Sequence, residues 1–235
     1  MVVCIVLIVL GVVCLTLFLI EKIRKYSVKA TMIKATTSFL FIALAAYSFY
    51  KNGSPRFGVY VICALAMGML GDIWLGLKYA VRNEEDTFTF AGFACFAVGH
   101  IFYITGMMTS LPYPTDWYAY LIPIALGLLS GGAVILLEKP LKCHYGKYKL
   151  ISCVYGALLF TMMFTALYLA IATKFQEPAF IMLFVGGVLF AVSDLILCGT
   201  YFSEGKERPV DLISNAVTYY AAQYIIAFSL FFLVL

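Results

Sequence analysis

The chain has 235 residues, of which 64% are hydrophobic and only 12% charged, with a formal net charge of +4. A soluble domain of this length would carry about a quarter charged residues and roughly half apolar ones. A water-soluble globule is therefore excluded, and the composition indicates an all-α polytopic membrane protein. Seven prolines and no Ser- or Gln-rich tract leave no room for a linker or a soluble second domain. Residues 1–235 read as one transmembrane helical domain.

Crossing the hydrocarbon core takes about 20 apolar residues as a helix. In chain order the expected spans are 2–20, 31–50, 57–79, 88–110, 117–137, 150–172, 179–202 and 211–235. They are separated by turn-rich or charged stretches such as "KNGSPR", "VRNEED" and "EKPLKCHYGKYK". The first span has no positive residues before it and a basic cluster after it, so it is expected to stay in the mature protein rather than act as a signal peptide.

Lys and Arg are concentrated in the odd-numbered loops and the helix ends beside them. These are Lys22, Arg24, Lys25 and Lys29, then Lys78 and Arg82, then Lys139, Lys142, Lys147 and Lys149, then Lys206 and Arg208. By the positive-inside rule the odd loops are cytoplasmic and both termini face the other side. Basic residues spread over four loops set orientation; they do not make a nucleic-acid patch. Six of the seven cysteines fall inside spans, Cys143 lies in a loop, and no CxxC pair occurs. Neither a disulfide framework nor a thiolate metal site is indicated.

Ten of the twelve acidic residues lie in loops or at helix ends; the exceptions are Asp72 and Asp194. A carboxylate at a helix centre costs about 2.5–3.5 kcal/mol on insertion scales, so such residues tend to mark function. The two share a setting, "GMLGDIWLGLKY" and "LFAVSDLILCGTYF", with a small residue before each Asp and an aromatic closing the helix. Asp72 is on the third span and Asp194 on the seventh. An offset of four spans fits a 4+4 parallel internal repeat about an axis along the membrane normal. Both lie seven to nine residues from the cytoplasmic end, about 10–13 Å of helix.

The helix after each Asp adds polar groups. The fourth span carries His100 between Phe96 and Tyr103 on one face, and the eighth carries Asn215, Tyr219 and Gln223 at intervals of four, with Tyr220 beside them. Asp72 to His100 is 28 residues and Asp194 to Gln223 is 29. His100 and Tyr219 each also fit an interhelical packing role. Lys34, near the cytoplasmic end of the second span, reads first as a side chain snorkelling to the headgroups and second as part of the site. Thr161, Thr165 and Tyr168 on the sixth span read as packing, and "GLLSG", Gly127 to Gly131, as a small-xxx-small helix contact. The candidates gather toward the cytoplasmic half, as one pocket requires.

"GDIWL", "FxxxHxxY", "SDLIL" and "TYYAAQ", in that order on the third, fourth, seventh and eighth spans, resemble the YhhN-like lysoplasmalogenase family. The resemblance runs over most of the chain. One position departs: Ala35 follows Lys34 where family members often have proline, so no role is carried onto Lys34 from the family. The resemblance implies hydrolysis of the vinyl-ether bond of a lysoplasmalogen to a fatty aldehyde and a glycerophosphocholine or glycerophosphoethanolamine. It marks Asp72 and Asp194 as catalytic.

The residue types suit that chemistry. Protonation of the β-carbon gives an oxocarbenium ion, which water attacks; the slow step needs a carboxyl group that still holds its proton. Burial and a second nearby carboxylate both favour that state. Glycosidases divide acid and charge-stabilising roles between two carboxyls around a similar ion. His100, Tyr103, Asn215, Tyr219, Tyr220 and Gln223 would orient the carboxyls, the water or the glycerol, and Lys34 or loop cations would hold the phosphate. No metal or other cofactor is required, and the expected partners are a lysophospholipid and the bilayer.

An intramembrane aspartyl protease would need YD and GxGD where this chain has "LGD" and "VSD". A zinc hydrolase would need several His ligands, and the chain has two His, one in a loop. The remaining alternative is a proton-coupled transporter using the same acids as a relay, though matching Gly/Pro-broken half-helices are lacking.

Overall fold

In the computed structural model the apolar runs become eight α-helices among the described residues, which are 1–24, 27–53, 55–79, 82–111, 114, 116–140, 142–203 and 208–233. They are α1 Val2–Arg24, α2 Val28–Lys51, α3 Arg56–Leu77, α4 Glu85–Ser110, α5 Trp117–Leu136, α6 Lys149–Ala172, α7 Pro178–Phe202 and α8 Pro209–Ser229. No strand occurs among the described residues. Two of the orienting basic residues, Lys25 and Lys206, lie outside them, as does the side chain of Arg82.

Local chemistry sets the helix starts. Ser27 caps α2 by accepting the Ala30 N–H, which satisfies one of the donors that the first turn leaves unpaired. Pro178 and Pro209 open α7 and α8, where the missing N–H is harmless and φ is already helical. After α6 the chain reverses through Lys174 and Phe175, both at positive φ.

Seven of these helices, α1 to α7, are long and apolar enough to cross a membrane. The apolar runs of the sequence predict eight. The difference lies in α8, whose 21 residues include Asn215, Thr218, Tyr219, Tyr220 and Gln223. The polar stripe that makes this helix interesting also lowers its hydropathy.

Helix packing follows a closed circuit. α2 packs on α3, α3 on α4, α4 on α6, α6 on α7, α7 on α8, and α8 returns to α2. α1 lies outside against α2 and α8, and α5 lies outside against α6. The end of the bundle carrying the α1–α2, α3–α4, α5–α6 and α7–α8 connections is called the odd-loop end below.

The α5–α6 contact is the close approach expected from "GLLSG". A Cβ at Gly131 would sit 2.7 Å from both the Ala157 Cβ and the Cys153 carbonyl oxygen, and one at Gly127 would sit 2.8 Å from the Ala157 carbonyl oxygen. Nothing lies within 4 Å of a Cβ at the neighbouring Gly132. Gly131→Val therefore lowers stability by about 1–3 kcal/mol through overpacking. Gly132→Ala leaves stability unchanged or raises it by about 1 kcal/mol, because alanine is the better helix former. Denaturation midpoints in detergent check both, and equal losses at the two positions would count against this interface.

Candidate active site

Three glycines around Asp72 each admit a different neighbour of α3. A Cβ at Gly76 would sit 2.6 Å from Thr31 on α2, one at Gly71 would sit 2.6 Å from the Phe96 ring on α4, and one at Gly68 would sit 3.3 Å from Gln223 on α8. These approaches bring short and long donors alike within reach of the carboxylate. Asp72 is 2% exposed. Its Oδ1 faces the Lys34 ammonium at 2.8 Å. Its Oδ2 accepts the hydroxyls of Ser38 at 2.6 Å and Tyr219 at 2.8 Å. The Tyr220 hydroxyl lies 3.2 Å from Ser38 Oγ and donates to the Lys34 carbonyl at 3.2 Å, so α2 and α8 are tied together beside the ion pair.

Lys34 does not snorkel to the headgroups, as its place near the helix end suggests it should: it turns inward onto Asp72, its side chain 15% exposed. The physical reason is that an ammonium near a buried carboxylate gains more by pairing than by reaching headgroups, since an unpaired buried charge is strongly unfavourable. Proline is not needed at position 35 for this. Ser38 was not anticipated, although it lies one turn after Lys34 on the same face of α2.

Asp194, on α7, accepts the Tyr155 hydroxyl at Oδ2. Among the described residues no cation pairs with it. Tyr155 was also missed; its position in α6 was the available signal. Tyr155 and Lys34 are each the seventh residue of their helices, and Asp72 and Asp194 are each the seventeenth of theirs. Next to Asp194, Ser193 is clasped to α8 by Asn215, whose side-chain amide donates to the Ser193 carbonyl at 2.9 Å and to its hydroxyl at 3.0 Å.

Both aspartates line one cavity of about 620 Å³ at the odd-loop end, inside the range of about 300–1,000 Å³ usual for ligand pockets. Six of the nine anticipated site residues line it: Asp72, Asp194, Lys34, Asn215, Tyr219 and Tyr220. His100, Tyr103 and Gln223 do not. They border a separate space of about 10 Å³. Phe96 lines both spaces and packs edge-on against Phe190 and Tyr219. Tyr219 and Gln223 are one turn apart on α8, and that turn carries Gln223 behind the Tyr219 ring. There Gln223 accepts the Tyr103 hydroxyl at 3.4 Å. His100 is 1% exposed, with its ring 5.0 Å from that of Phe190 and 5.4 Å from that of Tyr155. These residues back the cavity wall.

The α5–α6 connection closes over the odd-loop end. Cys143 and Tyr145 are buried and line the cavity, the His144 N–H donates to the Phe202 carbonyl at 2.7 Å, and the Tyr145 hydroxyl contacts Cys198 Sγ at 2.9 Å. Glu138 holds this connection by pairing with Lys149 at 2.6 Å and accepting the Tyr145 N–H. The Lys149 hydrogen bond, then that of Tyr145, holds the Glu138 carboxyl below its ordinary value of 4.5. A depressed carboxyl stabilises the fold above its ordinary value and stops doing so as pH falls through the lowered one. The latch is therefore intact at neutral pH.

The Lys34–Asp72 pair predicts a specific energetic pattern. Asp72→Asn leaves the Lys34 ammonium without its counter-charge and lowers stability by about 3 kcal/mol, the lower end of the range for a broken buried pair, because the cavity can hydrate Lys34 in part. Adding Lys34→Met recovers most of that loss. Equal denaturation midpoints for the single and double variants would show that the pair does not carry the stability.

The profile of the YhhN family matches residues 29–230 of the chain. No curated protein and no solved structure matches it significantly.

Proposed function

The chain belongs to the YhhN family, and from that premise we propose that it is a membrane-embedded hydrolase of the vinyl-ether bond of lysoplasmenylcholine or lysoplasmenylethanolamine. The observation that carries the proposal is that Asp72 and Asp194 line one cavity in opposite states of engagement. Asp72 has both oxygens taken by donors, one of them an ammonium. Asp194 has one oxygen taken by a neutral tyrosine hydroxyl, which leaves the other to meet a substrate.

The reaction assigns the proton transfer to Asp194. Its carboxyl O–H protonates the β-carbon of the vinyl ether, whose π electrons form the new C–H bond while an ether-oxygen lone pair closes the oxocarbenium ion. Water adds to the α-carbon and gives a proton back to the Asp194 carboxylate. The hemiacetal then breaks its bond to the glycerol oxygen, and its hydroxyl proton ends on that oxygen, giving an aldehyde and an alcohol. One water is consumed. Tyr155 is a positioning residue that fixes the Asp194 carboxyl, and Asp72 holds Lys34 and Tyr219 in the cavity wall, with the remaining Lys34 N–H groups directed to the substrate's phosphate or glycerol oxygens.

In the same reading α8 is an eighth span, sheltered from lipid by α1, α2 and α7, and the site faces the cytoplasmic half with both termini on the other side. The matched helix positions of Lys34 with Tyr155 and Asp72 with Asp194 support descent from a 4+4 repeat whose halves have since taken different partners for their acids.

Purified protein given lysoplasmenylethanolamine is expected to release a long-chain aldehyde. Asp194→Asn lowers kcat by about 10²–10⁴-fold, the usual contribution of a general acid, with the denaturation midpoint unchanged. Release of free fatty acid would replace this reading with ester hydrolysis. No product, with pH-driven solute flux in liposomes, would replace it with transport.

A further inference from the structure

Resting on that reading, we infer that the trough between α5 and α7 is a binding subsite for a single lipid hydrocarbon chain, entered sideways from the bilayer. α5 packs on α6, and α7 packs on α6 and α8, while α5 and α7 make no substantial contact with each other. The gap between them belongs to the cavity. α5 and its C-cap residue contribute Ser130, Ala133, Val134 and Leu137 to the lining, and the α7 residues that line it include Ala191, Asp194, Leu195 and Cys198. Each set has the spacing i, i+3, i+4, i+7, which is one continuous helical stripe. Gly156, Leu159 and Phe160 of α6 form the floor.

The trough opens to the outside of the bundle. Leu137 and Leu195 line the cavity, yet they are 45% and 57% exposed. Each of these two stripes is about 10 Å long and is apolar except at Ser130, Asp194 and Cys198, while α7 also places Ser193 and Thr200 in the lining. Asp194 lies in the middle of the α7 wall, so a chain lying along the trough passes its carboxyl, whereas the Lys34–Asp72 pair lies across the cavity on α2 and α3. That separation suits a molecule with one apolar chain and one polar head, joined near Asp194. Small side chains at Ser130, Ala133, Gly156 and Ala191 leave the width for the chain.

The test uses the full-length protein in dodecyl maltoside and a lysophosphatidylethanolamine with a diazirine at mid-chain. This probe has an ester in place of the vinyl ether, so labelling does not depend on the proposed hydrolysis. Irradiation is expected to label residues 130–137 and 191–198, located by mass spectrometry. Ala133→Trp narrows the trough and lowers that labelling by about tenfold, roughly the effect of losing contact with two methylene groups. Leu128→Trp, on the outward face of α5, leaves it unchanged. Label confined to other helices, or label insensitive to Ala133→Trp in a variant with the wild-type denaturation midpoint, would overturn the inference. Labelling in the trough without aldehyde release from the vinyl-ether lipid would keep the subsite and remove the hydrolase reading. Aldehyde release with label elsewhere would do the reverse.

Discussion

A carboxylate enclosed by apolar helices has to find donors for both oxygens, and the arrangement of α2, α3 and α8 is organised around doing so for Asp72. The Lys34 ammonium supplies charge on one side, and the Ser38 and Tyr219 hydroxyls supply hydrogen bonds on the other. Such a pair adds little over a well-packed apolar pair, but breaking it is severe. Its effect is therefore on specificity: sliding α2 along α3 would strand a buried charge, and sliding α8 would remove the Tyr219 hydrogen bond. The glycines at 68, 71 and 76 let the neighbouring helices come close enough for short hydroxyl side chains to contribute.

The second aspartate lacks this constraint. Asp194 occupies the same helical position as Asp72, but the group opposite it is a tyrosine instead of a lysine. Two acids in similar backbone settings are thus made chemically different by one residue on the preceding packed helix. In the proposed reaction that difference separates a fixed ion pair from a proton carrier. Making both acids salt-bridged would leave nothing to donate, and freeing both would leave the lysine without a partner. Tyr155 also joins the ring cluster of Phe93, Phe96 and His100, which fixes where its hydroxyl points.

Much of this was legible in the sequence, for identifiable reasons. The apolar runs mark the helices to within four residues at every end but the last, since a span must be both long and uncharged; there α8 stops at Ser229, a 3-10 turn follows over Leu230–Phe232, and residues 234–235 of the expected span lie outside the described residues. Asp72 and Asp194 stood out because a charge in such a run is costly wherever its helix packs. The i, i+4 stripe on α8 was visible from spacing alone, although the turn that puts Tyr219 in the cavity and Gln223 behind it was not. Lys34 and Tyr155 show the limit. Whether a lysine one turn or two into a helix snorkels or turns inward depends on which helix lies beside it and in what register. A tyrosine in an apolar span looks like any core aromatic until its hydroxyl is seen to meet a carboxyl.

The two outer helices make sense of the remaining geometry. A closed circuit of six helices would seal its interior from lipid, yet the proposed substrate, with its long chain, would have to enter from the bilayer. α5 packs chiefly on α6, with the close glycine contact at 127 and 131, and standing off α7 it extends the circuit outward instead of closing it. The cavity is thereby polar where α2, α3, α6, α7 and α8 converge and apolar where α5 forms the wall. α1 has the opposite placement, covering α2 and α8 and adding Phe18 and Lys22 to the lining near Lys34. One outer helix thus borders the basic side of the cavity and the other its apolar side, so head and chain of an amphiphile would be sorted by position before any chemistry begins.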